Sequence, residues 1–400
     1  MSLLIKNAKI LINGVLAERN IFCADGKIAK ITSQEPRAEE VFNAKGNIAL
    51  PGIIDPHVHF REPGLTHKED FLTGSRAAAK GGITTILDMP NTIPPTMTVE
   101  ALEGKRALAR KKSIVNWGLH FGASQDNLAE IKKAKNIASV KVYMDLTTGN
   151  LKIDEFSILK GIMDTVPVTC FHAEGKHIDV VISYLQKSQG SAYICHTSSA
   201  AELRLARSRT ALNNRVFVEV TPQHLFMTAD DVKRLGAFAE MKSPLKTKHD
   251  QTALWNGIRH GAVDTIGTDH APHTKEEKKK SNFPYGIPGV ETMLPLLLNA
   301  YHEKKITLPK IIELCSENPA RIFRMKGKGK LEAGNDADLT LIDLELKKKV
   351  DNNALETKCR WSPFDGKLLK GWPTATIVNG NIVFDGEEIH DIKGKEATFG

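Results

Sequence analysis

The stretch "LPGIIDPHVHFREPG" (50–64) decides how this chain is read. A short apolar run leads into His57 and His59, and Arg61 follows at once. Residues i and i+2 of a strand point to the same face. An H-x-H pair closing a strand therefore sets two imidazoles side by side, where they can grip one cation. Arg61 is the next residue on the same nominal face.

The same texture recurs downstream. Apolar, β-rich runs stand at "GITTILDMP", "VNWGLHFGA", "SVKVYMD", "PVTCFHAE", "SAYICHTSS", "RVFVEVTPQ" and "VDTIGTDHAPH". Helical segments such as "KEDFLTGSRAAAKG" and "TVEALEGKRALARKK" lie between most of them. About eight strand–helix units imply a parallel sheet closed into a (β/α)8 barrel. An open doubly wound sheet is the alternative, but it wants a glycine-rich phosphate turn after the first strand, and none follows. Both ends of the chain differ from the middle. "LLIKNAKILING" and "NIFCADGKIAKIT" near the start, and "TATIVNGNIVFDGEEI" near the end, are short strands broken by Asn-Gly or Asp-Gly turns. The expected fold class is α/β, a TIM-type barrel with a small β-sandwich domain built from both termini. The expected boundaries are 51–335 for the barrel and 1–50 plus 336–400 for the small domain.

Composition narrows the function. The chain has 400 residues and a formal net charge of +8. Its lysine runs, Lys278–Lys280 and Lys347–Lys349, read as separate surface patches without interleaved aromatics, so nucleic acid is not expected as a partner. No run of about 18 apolar residues suggests a membrane span. "MSLLIKNAKILING" lacks the basic-then-apolar layout of a secretion signal. Cys23, Cys170, Cys195, Cys315 and Cys359 are scattered, without C-x-x-C spacing. That suits a reducing cytoplasm and argues against a disulfide frame or a cysteine–zinc knuckle.

Chemistry in such a barrel gathers at the C-terminal ends of its strands. His57 and His59 close strand one, Lys141 lies in strand four, and His172, His196 and Asp269 close strands five, six and eight. Neutral imidazoles with a carboxylate suit Zn2+. His120 reads as a structural histidine, and His67, His177, His249, His260, His302 and His390 as surface residues. Lys141 alternates against Val140 and Val142, so it is expected to face inward. A buried unpaired ammonium is costly. A lysine that takes up CO2 becomes a carbamate, an anionic ligand able to bridge two metals. Asp145, four residues on and on the same nominal face, is the other candidate bridge. At a rise of about 3.3 Å per residue the two are too far apart for both to bridge.

Taken together, these motifs resemble the dihydroorotase family of the amidohydrolase superfamily. "LPGIIDPHVHFREPG" resembles the family's first-strand signature, and "DMPNTIPPT" its second-strand loop. "FHAE", "ICHTSS" and "GTDHAPH" are similar to its later ligand strands, and "NPARIF" with "GKGKLEAGNDADLTLIDL" to the superfamily's return to the small domain. The resemblance implies two Zn2+ per subunit, one on His57 and His59, the other on His172 and His196. Carboxylated Lys141 would bridge them, and Asp269 would be both ligand and proton shuttle. Arg61 and Asn91 would bind a substrate carboxylate with help from His273. Ser243, Tyr285 and Gly286 would lie against the pyrimidine ring. The implied reaction is the reversible cyclisation of N-carbamoyl-L-aspartate to L-dihydroorotate in the synthesis of UMP. A homo-oligomer and an association with aspartate carbamoyltransferase are compatible partners.

Two departures stand out. "EVTPQHLF" has Gln223 where the family often has a second histidine, and "MKSPLK" has Ser243 and Lys246 where N-P-P-L-R is usual. Hydantoinases and allantoinases share the metal residues, but Arg61 and the loop holding Asn91 favour a substrate with a carboxylate. Non-catalytic relatives lose ligands, and all six are present here. The loops "DLTTGN" (145–150) and "TKEEKKKSNFPYG" (274–286) are expected to close over the mouth, the lysine-rich start of the second being merely solvated.

Overall fold

A computed structural model describes residues 2–145, 152–153, 155–212 and 214–400. The first of the two expected lid loops lies almost wholly outside the described residues.

The apolar runs form the barrel strands Ile53–Val58, Ile83–Asp88, Asn116–Leu119, Val140–Tyr143, Val168–His172, Ser191–Ile194, Val216–Val220 and Thr265–Ile266. Neighbours pair in parallel in chain order, the third strand reaching the fourth through its continuation Phe121–Gly122. Strand eight meets strand one through a parallel bridge between Val58 and His270, and the His59 N–H donates to the His270 carbonyl at 2.8 Å. Every residue of strands one, two, four, five and seven is buried. Helices cover one face of each strand and the barrel core the other. This is why the strands read as continuous apolar runs, not alternating ones.

Helix starts are fixed locally. Asp70 caps Phe71–Lys80 in a reciprocal box with Thr73, and Ser199 caps Ala200–Ala206 in a box with Glu202. Each cap lies on a loop that leaves the C-terminal end of a strand, so capping also anchors the rim of the mouth.

Eight strands from both ends of the chain form one continuous sheet. Its seam is the antiparallel pairing of Ile48–Pro51 with Leu339–Ile342. Leu3, Ile5 and Ile21 share a core there with Leu339, Leu341 and Ile377. Tight turns at Asn13-Gly14 and Asp25-Gly26 have φ of 50°, 81°, 53° and 78°, the left-handed pair such hairpins require. The sheet hands the chain at Pro51 straight to strand one. The last residues run back to the barrel, where the Ala397 N–H donates to the Trp117 carbonyl at 2.7 Å and Phe399 packs against the core that holds Leu87 and Phe323. No helix among the described residues is long and apolar enough to cross a membrane.

Candidate active site

The strand ends enclose a cavity of about 380 Å3, lined among others by His57, His59, Lys141, His172, His196 and Asp269. Residues from strands one, four, five, six and eight thus meet at one mouth. Arg61, His196 and Asp269 hold left-handed backbone, with φ of 63°, 39° and 46°. Such strain in non-glycine residues is kept where neighbours over-determine it, typically at functional sites.

Hydrogen bonds on the outer side of each ring fix the tautomers of His57 and His59. His57 Nδ1–H donates to Glu219 Oε1 at 2.9 Å, and His59 Nδ1–H donates to Asn91 Oδ1 at 2.6 Å. Both Nε2 atoms therefore present lone pairs. They lie 3.3 and 3.0 Å from Asp269 Oδ1. Burial holds His57 well below its ordinary pKa and lowers His59, so both rings are neutral near pH 7. Burial alone would raise Asp269, but the surrounding histidines and Lys141 hold it below the ordinary carboxylate range. Two lone pairs and a carboxylate oxygen, mutually within 4.8 Å, repel unless a cation stands among them. The donor set fits a metal ion.

A second group stands beside the first. The His172 and His196 rings lie edge to face with centroids 4.4 Å apart, and the His57 and His196 centroids are 5.5 Å apart. Burial holds His196 well below its ordinary value as well. Lys141 is 1% exposed, and its Nζ lies 2.9 Å from Cys195 Sγ. It forms no ion pair with any described residue. Burial alone would lower the Lys141 pKa, but the neighbouring Cys195, Tyr143 and Cys170 groups raise it above the ordinary lysine value. Asp145 stands apart. Its Oδ1 accepts from His177 Nδ1 at 2.7 Å and its Oδ2 from the Glu174 N–H at 2.8 Å. Strand four ends at Tyr143, so strand parity does not carry on to Asp145.

Arg61 also leaves the expected alternation. Strand one ends at Val58, and the left-handed turn at Arg61, not strand parity, brings its guanidinium to the cavity. Neither acid that could have paired with it does so: Glu62 pairs with Lys112, and Glu69 binds Thr73, Thr357 and the Lys358 N–H. Arg61 Nε donates to the Pro272 carbonyl at 3.3 Å. The side chain is buried without an ion pair to any described residue, and burial lowers its pKa. His273 stands behind it. Lys68 donates to His273 Nδ1 at 3.1 Å, so Nε2 carries the proton and donates to the Tyr285 carbonyl at 3.0 Å. Both His273 nitrogens are thus engaged, and its ring does not line the cavity.

Ser243 is buried with Oγ 3.4 Å from His196 Nδ1, and it too lies behind the cavity wall. Gln223 Nε2 donates to the Thr268 carbonyl at 2.6 Å, next to Asp269. Tyr285 and Gly286 line the cavity, with Lys242 Nζ 5.1 Å above the Tyr285 ring. At Gly286, φ is 128° and a Cβ would lie 2.8 Å from Ala271, so the close approach requires glycine. His120 is buried against Ser139 and the Pro56 carbonyl.

Three residues escaped the sequence reading. Glu219, fully buried, accepts from His57 Nδ1–H, the His196 N–H and the Tyr193 hydroxyl, and burial raises its pKa to about 7. Its signal was an acid inside "RVFVEV". Tyr143, two residues beyond Lys141, lines the cavity. Lys278 overturns the expectation of a solvated lysine run. It is 1% exposed, and its ammonium donates to the carbonyls of Glu240, Pro284 and Gly286 at 3.2, 3.0 and 3.0 Å. It clamps the Pro284–Gly286 wall of the cavity, and nothing in "EEKKKS" separates it from its exposed neighbours.

A family profile described as the amidohydrolase family matches residues 48–383. The chain belongs to the amidohydrolase family. Among its curated relatives, a dihydroorotase of Methanosarcina mazei is 36% identical, covering 98% of this chain and 96% of the relative. A dihydroorotase of Pyrococcus furiosus is 34% identical over 95% and 92%. Among solved amidohydrolase-like structures, the L-hydantoinase (dihydropyrimidinase) of Arthrobacter aurescens superposes with a TM-score of 0.94 at 28% identity, covering 99% of each chain. That neighbour carries the same architecture over its whole length, so the amidohydrolase fold is that of a (β/α)8 barrel here.

Proposed function

We propose that this amidohydrolase is a dihydroorotase, interconverting N-carbamoyl-L-aspartate and L-dihydroorotate. The observation that carries the reading is Arg61, a buried cation without an acidic partner among the described residues, lining the same cavity as the His57–His59–Asp269 cluster. A buried guanidinium fork beside a hydrolytic centre calls for a substrate with a carboxylate. The names of the curated relatives support it.

In this reading His57 and His59 would hold one zinc ion and His172 and His196 the other, with Asp269 and a carboxylated Lys141 as further ligands. Bound there, the ions supply a nucleophile near neutral pH and polarise the amide carbonyl. The chain's own groups do the rest. Arg61 and the Asn91 amide hold the substrate carboxylate, which orients the reacting carbonyl. His273, donating to the Tyr285 carbonyl, holds that stretch of backbone beside Arg61. Asp269 takes the proton of the attacking water and delivers it to the leaving ring nitrogen. In the biosynthetic direction the same groups act in reverse. A cytoplasmic, homo-oligomeric enzyme is part of this reading.

The test is an activity panel of dihydroorotate, hydantoin and allantoin with metal analysis on the same sample. The expected result is two zinc ions per chain and turnover of dihydroorotate well above the other two. Preferential turnover of hydantoin or allantoin would replace this reading with the cyclic-amidase one, which the L-hydantoinase scaffold favours.

A further inference from the structure

Among the described residues, seven buried side-chain polar atoms have no hydrogen-bond partner, and the Tyr143 hydroxyl is the one whose residue lines the cavity. A native interior rarely leaves such a group unmatched, because its lost hydration is not returned. The backbone register places Tyr143 opposite His172, with the two rings 6.2 Å apart. It shares a strand face with Lys141, whose Nζ lies 5.4 Å from the Tyr143 ring centroid. The phenol thus stands at the level of the proposed metal ligands, one step toward the mouth from the proposed bridge.

We propose that Tyr143 is a catalytic residue whose hydroxyl donates a hydrogen bond to the carbonyl oxygen of the ring amide under attack. The missing partner of the free protein is then the substrate. Attack on the carbonyl carbon moves charge onto that oxygen. A fixed donor in a water-poor site is worth more to the charged oxygen than to the ground-state carbonyl. The hydroxyl therefore contributes to kcat more than to KM. The bland alternative is a hydroxyl stranded by packing or served by a buried water. In that case it does nothing for turnover.

This inference rests on the reading of the cavity as a cyclic-amide site. Its test is Tyr143→Phe, which removes one atom and keeps the ring. Zinc content, Tm, kcat and KM are measured on the zinc-loaded chain with dihydroorotate. The expected result is unchanged zinc, a Tm equal to or above wild type, a KM within about 3-fold, and a kcat lower by ~10²-fold, as for loss of one oxyanion donor. A kcat within about 3-fold of wild type would overturn the proposal. So would lost activity accompanied by lost zinc or a lowered Tm, because the hydroxyl would then be structural. If the wild type ignores dihydroorotate but opens hydantoin or allantoin, the substrate reading fails on its own. The same kcat comparison on that amide then decides Tyr143, since all three rings present an amide carbonyl.

Discussion

Replacing Arg61 by methionine isolates the group on which the choice of substrate rests. The methionine keeps most of the buried alkyl volume, so the surrounding packing is retained. What disappears is a guanidinium that is 5% exposed and has no ion pair among the described residues. Its hydrogen bond to Pro272, at 3.3 Å, is long. A substrate carboxylate would make charge-assisted bonds to the remaining N–H groups. Leaving a buried charge without its partner costs about 3–5 kcal/mol. On kcat/KM this corresponds to a loss of about 10²- to 10⁴-fold. The assay is steady-state hydrolysis of dihydroorotate beside that of dihydrouracil, the same ring without the carboxylate, with zinc content measured in parallel. The expected loss falls on dihydroorotate alone, and zinc stays at the wild-type level. The Tm holds or rises, because a desolvated cation has been removed. Equal losses on both rings would make Arg61 a structural residue, and no loss on either would refute the carboxylate argument altogether.

Four further outcomes follow from the geometry. Lys141→Ala is expected to lose the paired metals and nearly all activity, whereas Asp145→Asn stays active because Asp145 is tied to His177 and the Glu174 N–H; swapped phenotypes on zinc analysis would make Asp145 the bridge. Glu219→Gln keeps an acceptor for His57 Nδ1–H but removes the charge behind it, so zinc affinity in chelator competition is expected to fall by about 10- to 100-fold, and unchanged affinity would remove Glu219 from the site. Lys278→Met frees the carbonyls of Pro284 and Gly286, so KM for dihydroorotate is expected to rise about 10-fold with zinc content unchanged; an unmoved KM would show that the wall stands without its clamp. Glu291 is buried, and burial raises its pKa from 4.5 to about 7, so the folded state holds a proton that the unfolded state releases. Wild-type stability therefore falls as pH rises through that window, and the gain of Glu291→Gln over wild type, read from chemical denaturation at pH 5 and pH 8, should grow by up to about 3 kcal/mol; a gain independent of pH would contradict the shift.

Much of the fold was legible because burial on two faces writes a recognisable pattern. Strands such as Val140–Tyr143 and Val168–His172 are buried throughout, so any polar residue in them stands out. The ligand candidates stood out for that reason, and the cavity brings them together. By the same logic Glu219 and Tyr143 should have been flagged, since each is a polar residue in an all-buried strand with no local partner. Sequence parity failed where strands stop. Arg61 lies past the end of strand one and Asp145 past the end of strand four, so alternation predicts neither direction. Lys278 was not legible at all. Its burial is set by carbonyls 38 and 8 residues away, which composition cannot announce.

The arrangement of the histidines bears on the proposed carbamate at Lys141. The outer nitrogen of His57 and of His59 is spent on an acceptor, Glu219 or Asn91, so these rings enter the cavity as neutral donors. Among the described residues of the cluster, Asp269 is the carboxylate facing those lone pairs. If two dications stood there as proposed, with Lys141 as an ammonium they would meet one negative and one positive side chain in a low dielectric, where repulsion is strongest. Converting that ammonium to a carbamate changes the local charge by two units without moving the backbone. In the proposed paired-metal site it would also supply a second anionic ligand. Glu219 is already engaged by His57, the His196 N–H and Tyr193. In the proposed reading, the buried amine next to Cys195 is where the added negative charge would come from.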